Sequence, residues 1–136
     1  MRAFTSIEQS KALAKILPIE SADMYYQYIL PKSNKIEHTP KHGNPAEALE
    51  WYNKGYTKFG KEPLSLKEYC IPCWSLAALL EIIHKDFYIV LDHDGVAWTC
   101  NVRQHDHRDI KDGYWGGDPV YACVEMIVKL KEKGLI

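Results

Sequence analysis

The signals that most quickly assign a function are missing from these 136 residues. There is no GxSxG elbow, Walker loop, Rossmann fingerprint or HExxH pair, which removes the commonest hydrolase, nucleotide-binding and metalloprotease readings. No apolar run approaches the roughly eighteen residues needed to span a membrane. The segment Met1 to Gln9 lacks the apolar stretch of a secretion signal, so a cytoplasmic location is expected. Charge of one sign is not in excess, with 17 Lys plus Arg against 18 Asp plus Glu. A chain without a global field is a poor match to nucleic acid or an anionic membrane, and neither is expected as a partner. Internal repeats and low-complexity tracts are absent as well. The four cysteines (Cys70, Cys73, Cys100 and Cys123) are expected as reduced thiols in a reducing compartment.

What is present is ordinary globular composition, 46% hydrophobic and 26% charged. This length suits one domain spanning 1–136, which would bury roughly two-thirds of its unfolded surface and needs no cofactor to fold. Residues 1–68 carry 10 basic and 8 acidic side chains and residues 69–136 carry 7 and 10, a split of +2 and −3. Any basic surface is therefore local.

Local signals outline an α+β fold. Thr5/Glu8 and Ser6/Gln9 both have capping-box spacing ahead of Leu13, Ile16 and Leu17, and Pro18 closes that helix. Residues 19–30 are aromatic and branched, favouring a strand of poor alternation, and 31–44 form a surface connection. Asn44-Pro45 starts a second helix that Gly55 is placed to stop, with Leu49 and Tyr52 facing inward and Trp51 beside them. Ser65/Glu68 opens about two helical turns before Pro72. The segment Cys73 to His84 is apolar around most of its circumference, as a helix in the middle of the core would be. Phe87 to Asp92 and Val96 to Val102 form a hairpin about Asp94-Gly95, which pairs Leu91 with Trp98, Ile89 with Cys100 and Phe87 with Val102. A last helix runs from Asp118-Pro119 to Gly134, with Val120, Cys123, Val124, Ile127 and Leu130 on one stripe. The expected architecture is a small antiparallel sheet including the 87–102 hairpin, with helices packed on one face.

Ser21-Ala22-Asp23-Met24, Ile71-Pro72-Cys73-Trp74-Ser75-Leu76 and Asp118-Pro119-Val120-Tyr121-Ala122-Cys123-Val124-Glu125-Met126 together resemble a group of small uncharacterised proteins of Bacteroides-type gut bacteria and their prophages or mobile elements. The resemblance runs along nearly the whole chain and rests on structural motifs. It implies a bacterial cytoplasmic origin and carries no catalytic residue to any position here.

Two constellations could hold chemistry. Cys70-Ile71-Pro72-Cys73 ahead of a helix would place a thiolate at the positive end of the helix dipole, with a second thiol in resolving position. A thioredoxin-type site should sit in a βαβ unit, and here helix-like sequence precedes the pair and antiparallel strands follow. The same cysteines with His105 and His107 could bind zinc, although the spacing matches no recognised finger. The bland alternative is two buried thiols and two surface histidines. His84, His93, Glu81 and Glu125 are accounted for by helix ends, turn chemistry and solvated faces.

The functional expectation is a non-enzymatic binding or regulatory module of mobile-element origin whose partner is another protein or a second copy of the chain. Its contact surface is expected on the fifteen-residue connection 103–117, with Arg103, His105, Asp106, His107, Arg108, Tyr114 and Trp115 as the binding residues. The enzyme alternative uses the Cys70/Cys73 and His105/His107 cluster. A third reading takes Lys32, Lys35, Lys41, Lys54, Lys58 and Lys61 as a nucleic-acid surface, which the neutral net charge disfavours.

Overall fold

Helix α1 (Ile7–Ala14) begins where one of the two capping boxes allows. Ser6 Oγ accepts the Gln9 N–H at 3.1 Å while Gln9 Oε1 accepts the Ser6 N–H at 2.9 Å, which satisfies two otherwise orphaned donors. The computed structural model describes residues 2–30, 33–104 and 114–136, with Tyr114 and Trp115 described through their backbone alone. Two compact units emerge, one formed by 6–74 and the other by 1–5 with 75–136. The fold is α+β, with helices set against small antiparallel sheets.

In the first unit, a 3₁₀ turn at Ile19–Ser21 leads into β1 (Met24–Gln27), which is shorter than the strand expected across 19–30. Its alternation is poor because it is covered on both faces: Met24, Tyr25 and Tyr26 are all buried. The connection then doubles back as β2 (Lys41–His42). Helix α2 (Pro45–Thr57) follows, capped by Asn44, whose side-chain oxygen accepts from the Ala46 and Glu47 amides. The Asn44 amide donates to the Ile19 and Ala22 carbonyls, so one residue both starts the helix and ties it to the preceding segment.

After the one-turn helix α3 (Leu66–Tyr69) the chain enters β3 (Cys70–Cys73). The sheet order is β2-β1-β3, with Met24 opposite Cys73 and Gln27 opposite Cys70. The Cys-Ile-Pro-Cys segment is thus a strand, and the helix expected from Cys73 starts instead at Leu76, after the Ser75 cap. Pro72 can sit there because β3 lies at the edge of the sheet, where a missing N–H breaks no ladder bond. Trp74 is fully buried and donates its indole N–H to Ser21 Oγ at 3.0 Å.

The second unit opens with α4 (Leu76–His84), capped by Ser75. This helix buries only one side, through Leu79 and Ile83, and is not the centre of the core expected from its composition. Strands β4 (Phe87–His93), β5 (Trp98–Gln104) and β6 (Tyr114–Gly116) form an antiparallel sheet in that order. Helix α5 (Pro119–Glu132) buries the whole stripe read from its sequence, together with Ala122 and Met126. The sheet turns Phe87, Cys100 and Val102 to the buried side and leaves Tyr88, Val90, Asn101 and Arg103 outward.

The hairpin register differs from the expected one by two residues. Ile89 pairs with Val102, Leu91 with Cys100 and His93 with Trp98. A four-residue turn, 94–97, replaces the two-residue turn because Asp94 Oδ1 accepts both the Val96 and Ala97 amides, at 2.8 and 2.9 Å. That Asx arrangement satisfies donors a tighter turn would have placed in the ladder. A shift of two preserves which face each side chain takes, so the apolar set is still shared.

Candidate functional site

The C-terminal half of α2 holds the most conspicuous surface feature. Trp51 is 80% exposed and Phe59 82% exposed, and between them lies an apolar groove of about 480 Å³ lined also by Tyr52, Lys54, Gly55, Tyr56 and Lys58. Helical geometry explains the placement. At 100° per residue, Leu49, Tyr52 and Tyr56 share the side that packs inward, while Trp51 and Gly55 share the side turned away. Trp51 therefore does not join Leu49 and Tyr52 against the core as expected, because two residues of helix rotate it most of the way round.

Gly55 does not stop the helix, which continues to Thr57 and turns off at Gly60, where φ is +73°. Interior helical glycine costs about 0.5–1 kcal/mol relative to alanine. No packing explains it here, since a Cβ at 55 would meet nothing within 4 Å. What its absence does is leave the groove floor open between Trp51 and Phe59.

The floor is tied to the core by a run of tyrosines. Ring centroids step from Tyr25 to Tyr69 at 5.9 Å, Tyr69 to Tyr52 at 5.0 Å and Tyr52 to Tyr56 at 5.3 Å. Leu64, Tyr69, Cys70 and Tyr25 form the buried cluster beneath, against which Leu49 and Tyr52 pack. Burial pushes the Tyr69 hydroxyl above the ordinary phenol range, with neighbouring Tyr25 adding to the effect, so it stays neutral. The returning segment is braced to α2 by Asn53, which accepts the Leu64 N–H at 2.9 Å and donates to the Leu64 carbonyl at 3.0 Å. Lys61 then lies with its ammonium 5.0 Å from the Tyr56 ring centroid.

The residues singled out on 103–117 fare differently. Arg103 lies on the exposed side of β5. His105, Asp106, His107 and Arg108 lie outside the described residues. Tyr114 and Trp115 belong to β6, paired with Cys100 and Thr99. The fifteen residues are therefore not one loop: strands occupy both ends and only 105–113 lie between them.

The thiol pattern loses its chemical premise. Cys70 and Cys73 are buried in β3, and the nearer of them, Cys73, precedes the first residue of α4 by three positions, outside the first helical turn. Burial pushes the Cys70 thiol up to about 12, the opposite of an activated thiolate. Cys100 and Cys123 are fully buried in the other unit, where the hydrogen bond between the two thiols, reinforced by burial, drives Cys123 far above the ordinary range. Among the described residues no group of three or more His, Cys, Asp or Glu side chains is placed to hold a metal ion. His105 and His107 fall outside that set.

A second depression, lined by Ala77, Leu80, Glu81, His84, Ile89 and Leu91, offers mainly aliphatic surface and no Trp, Tyr or Phe face. Among the described residues no helix is long and apolar enough to cross a membrane. No protein-family model matches this chain, and no curated protein or solved structure is significantly similar to it. The sequence patterns place Trp51 beside Leu49 and Tyr52 and Gly55 as a helix stop, and give no binding role to either or to Phe59. Their spacing of four, with Lys54 and Lys58 interleaved, was the available signal.

Proposed function

We propose that this chain is a non-enzymatic binding module and that the groove on α2 is its contact surface. The observation that carries the reading is the pair of aromatic side chains, Trp51 and Phe59, left about four-fifths exposed on either side of an apolar groove. Large aromatic surface held in water is unfavourable, and clustered apolar exposure of this kind marks interaction sites. The anchored tyrosine floor means the surface is largely formed before any ligand arrives, which lowers the ordering cost of binding. Sequence alone points to another protein or self-association as partner, whereas the groove is lined by Lys54 and Lys58 as well as by aromatic rings. The thiol- or metal-dependent alternative draws less support, because Cys70 and Cys73 are buried and the Cys70 thiol is held protonated.

The test uses 1-anilinonaphthalene-8-sulfonate, a planar anionic aromatic probe. Its fluorescence should rise on the folded wild-type protein and lose most of that rise with Trp51→Ala/Phe59→Ala, whose thermal unfolding midpoint should stay near wild type because both side chains are exposed. Full probe binding by the folded double variant would refute the assignment of the surface.

A further inference from the structure

We infer that the groove on α2 takes single-stranded nucleic acid, its bases stacked on Trp51 and Phe59 and its phosphates held by Lys54, Lys58 and Lys61. This rests on the binding-module reading and adds the class of ligand. Charge complementarity is the first argument. Among the described residues the charged ones lining the groove are Lys54 and Lys58, and Lys61 stands over the Tyr56 ring at its edge. Lys54 is engaged by Glu50 at 3.9 Å, but both side chains are more than 70% exposed, and such a pair is weak enough for a phosphate to displace the carboxylate. Over 47–62 the three lysines are offset by Glu47, Glu50 and Glu62, so the complementarity lies in the lining itself, to which Lys54 and Lys58 contribute the charge.

Shape supplies the second argument. Gly55 hollows the surface between two aromatic side chains, and a volume of about 480 Å³ admits a flat ring system. Aromatic faces interleaved with lysines are how sequence-tolerant single-strand sites are built, since every base has a π-face and every nucleotide a phosphate. Protein partners fit less well, for lysine is depleted in the cores of protein interfaces while aromatics are enriched. A bilayer surface fits less well too. An interfacial helix inserts a convex apolar face, whereas the aromatic surface here lines a concave groove. The side chains that would touch the ligand fall within 51–61, on a floor held in place by Tyr69 and Tyr25.

The experiment is fluorescence anisotropy of the full chain with a labelled oligothymidylate of about ten nucleotides, within the usual site size of such modules. Binding should weaken with salt with a logarithmic slope of about 2, from about 0.7 per neutralised phosphate and three lysines. Trp51→Ala or Phe59→Ala should weaken it about 5- to 150-fold, the scale of losing one stacked base. Lys54→Gln/Lys58→Gln should weaken it and reduce the slope by about 1.4. Circular dichroism establishes that each variant is folded, and Gly55→Leu, which fills the groove, provides a second route to the same loss. Oligothymidylate binding that is absent, or unaffected by the aromatic substitutions, overturns the inference. So does equal binding of oligoglutamate, which would make this a general polyanion site, or binding of phosphatidylserine vesicles in place of the oligonucleotide. If the anilinonaphthalene probe binds and the oligonucleotide does not, the nucleic-acid inference fails and the binding surface stands. If neither binds, both fail.

Discussion

Replacing Gly55 by alanine should make the protein more stable. The residue lies within α2, has no positive φ, and an added Cβ would meet no atom within 4 Å. No clash therefore offsets the gain from restricting the unfolded chain and from better helix propensity, about 0.8–1 kcal/mol in a helix interior. Gly55 is two residues from the last residue of α2, so about 0.5–1 kcal/mol is the expected gain. For a chain of this size that corresponds to a rise of roughly 2–4 °C in the unfolding midpoint. Urea and thermal titrations followed by far-ultraviolet circular dichroism measure it, and the anilinonaphthalene probe reports the groove in the same samples. Stability should rise while probe binding falls, because the new methyl group occupies the floor between Trp51 and Phe59. Gly60→Ala is the opposing control: with φ at +73° an alanine there is strained, costing about 1 kcal/mol or more. A neutral or destabilising Gly55→Ala would refute the reasoning, since it would mean that the helix does not run undistorted through 55 and does not set Trp51 and Phe59 along one groove.

Leu79→Ala, at a fully buried position in α4, should cost about 2–5 kcal/mol in a urea titration, and a loss under about 0.5 kcal/mol would contradict its burial. All four cysteines should resist a thiol reagent such as dithionitrobenzoate at pH 8 in the native protein and react after denaturation, because each is buried and Cys70 is pushed up to about 12. Rapid labelling of the native protein at any of them would be incompatible with that. The Asp94 carboxyl is held below its ordinary value by hydrogen bonds from the Ala97 and Val96 amides. Since the folded value is the lower one, its contribution to stability is present above the unfolded carboxyl value, near pH 3.9, and is lost as pH falls through the folded value. A carboxyl carbon resonance of Asp94 titrating at or above the reference value would show that the turn bonds are not made.

Single-residue signals act over three or four positions, and those the sequence determined by itself. Ser6, Asn44 and Asp118 each accept the backbone amides their spacing predicts, and Glu68 reaches back to the Ser65 amide, because a cap and its targets are neighbours whatever the rest of the chain does. The stripe on α5 and the shared apolar face of the 87–102 hairpin were legible for the same reason, a helical or alternating period carried within one segment.

Tertiary structure decided the rest. That Cys70 to Cys73 forms a strand depended on β1, some forty-five residues earlier, offering a ladder at an edge where Pro72 does no harm. The hairpin register turned on Asp94 taking two amides that a two-residue turn would have used otherwise, a choice between two locally acceptable turns. Trp51 is equally at home in a core or on a surface by composition. Which it became was fixed when Leu49 and Tyr52 packed onto the cluster around Tyr69, leaving the opposite side of α2 to solvent and the glycine at 55 to shape it.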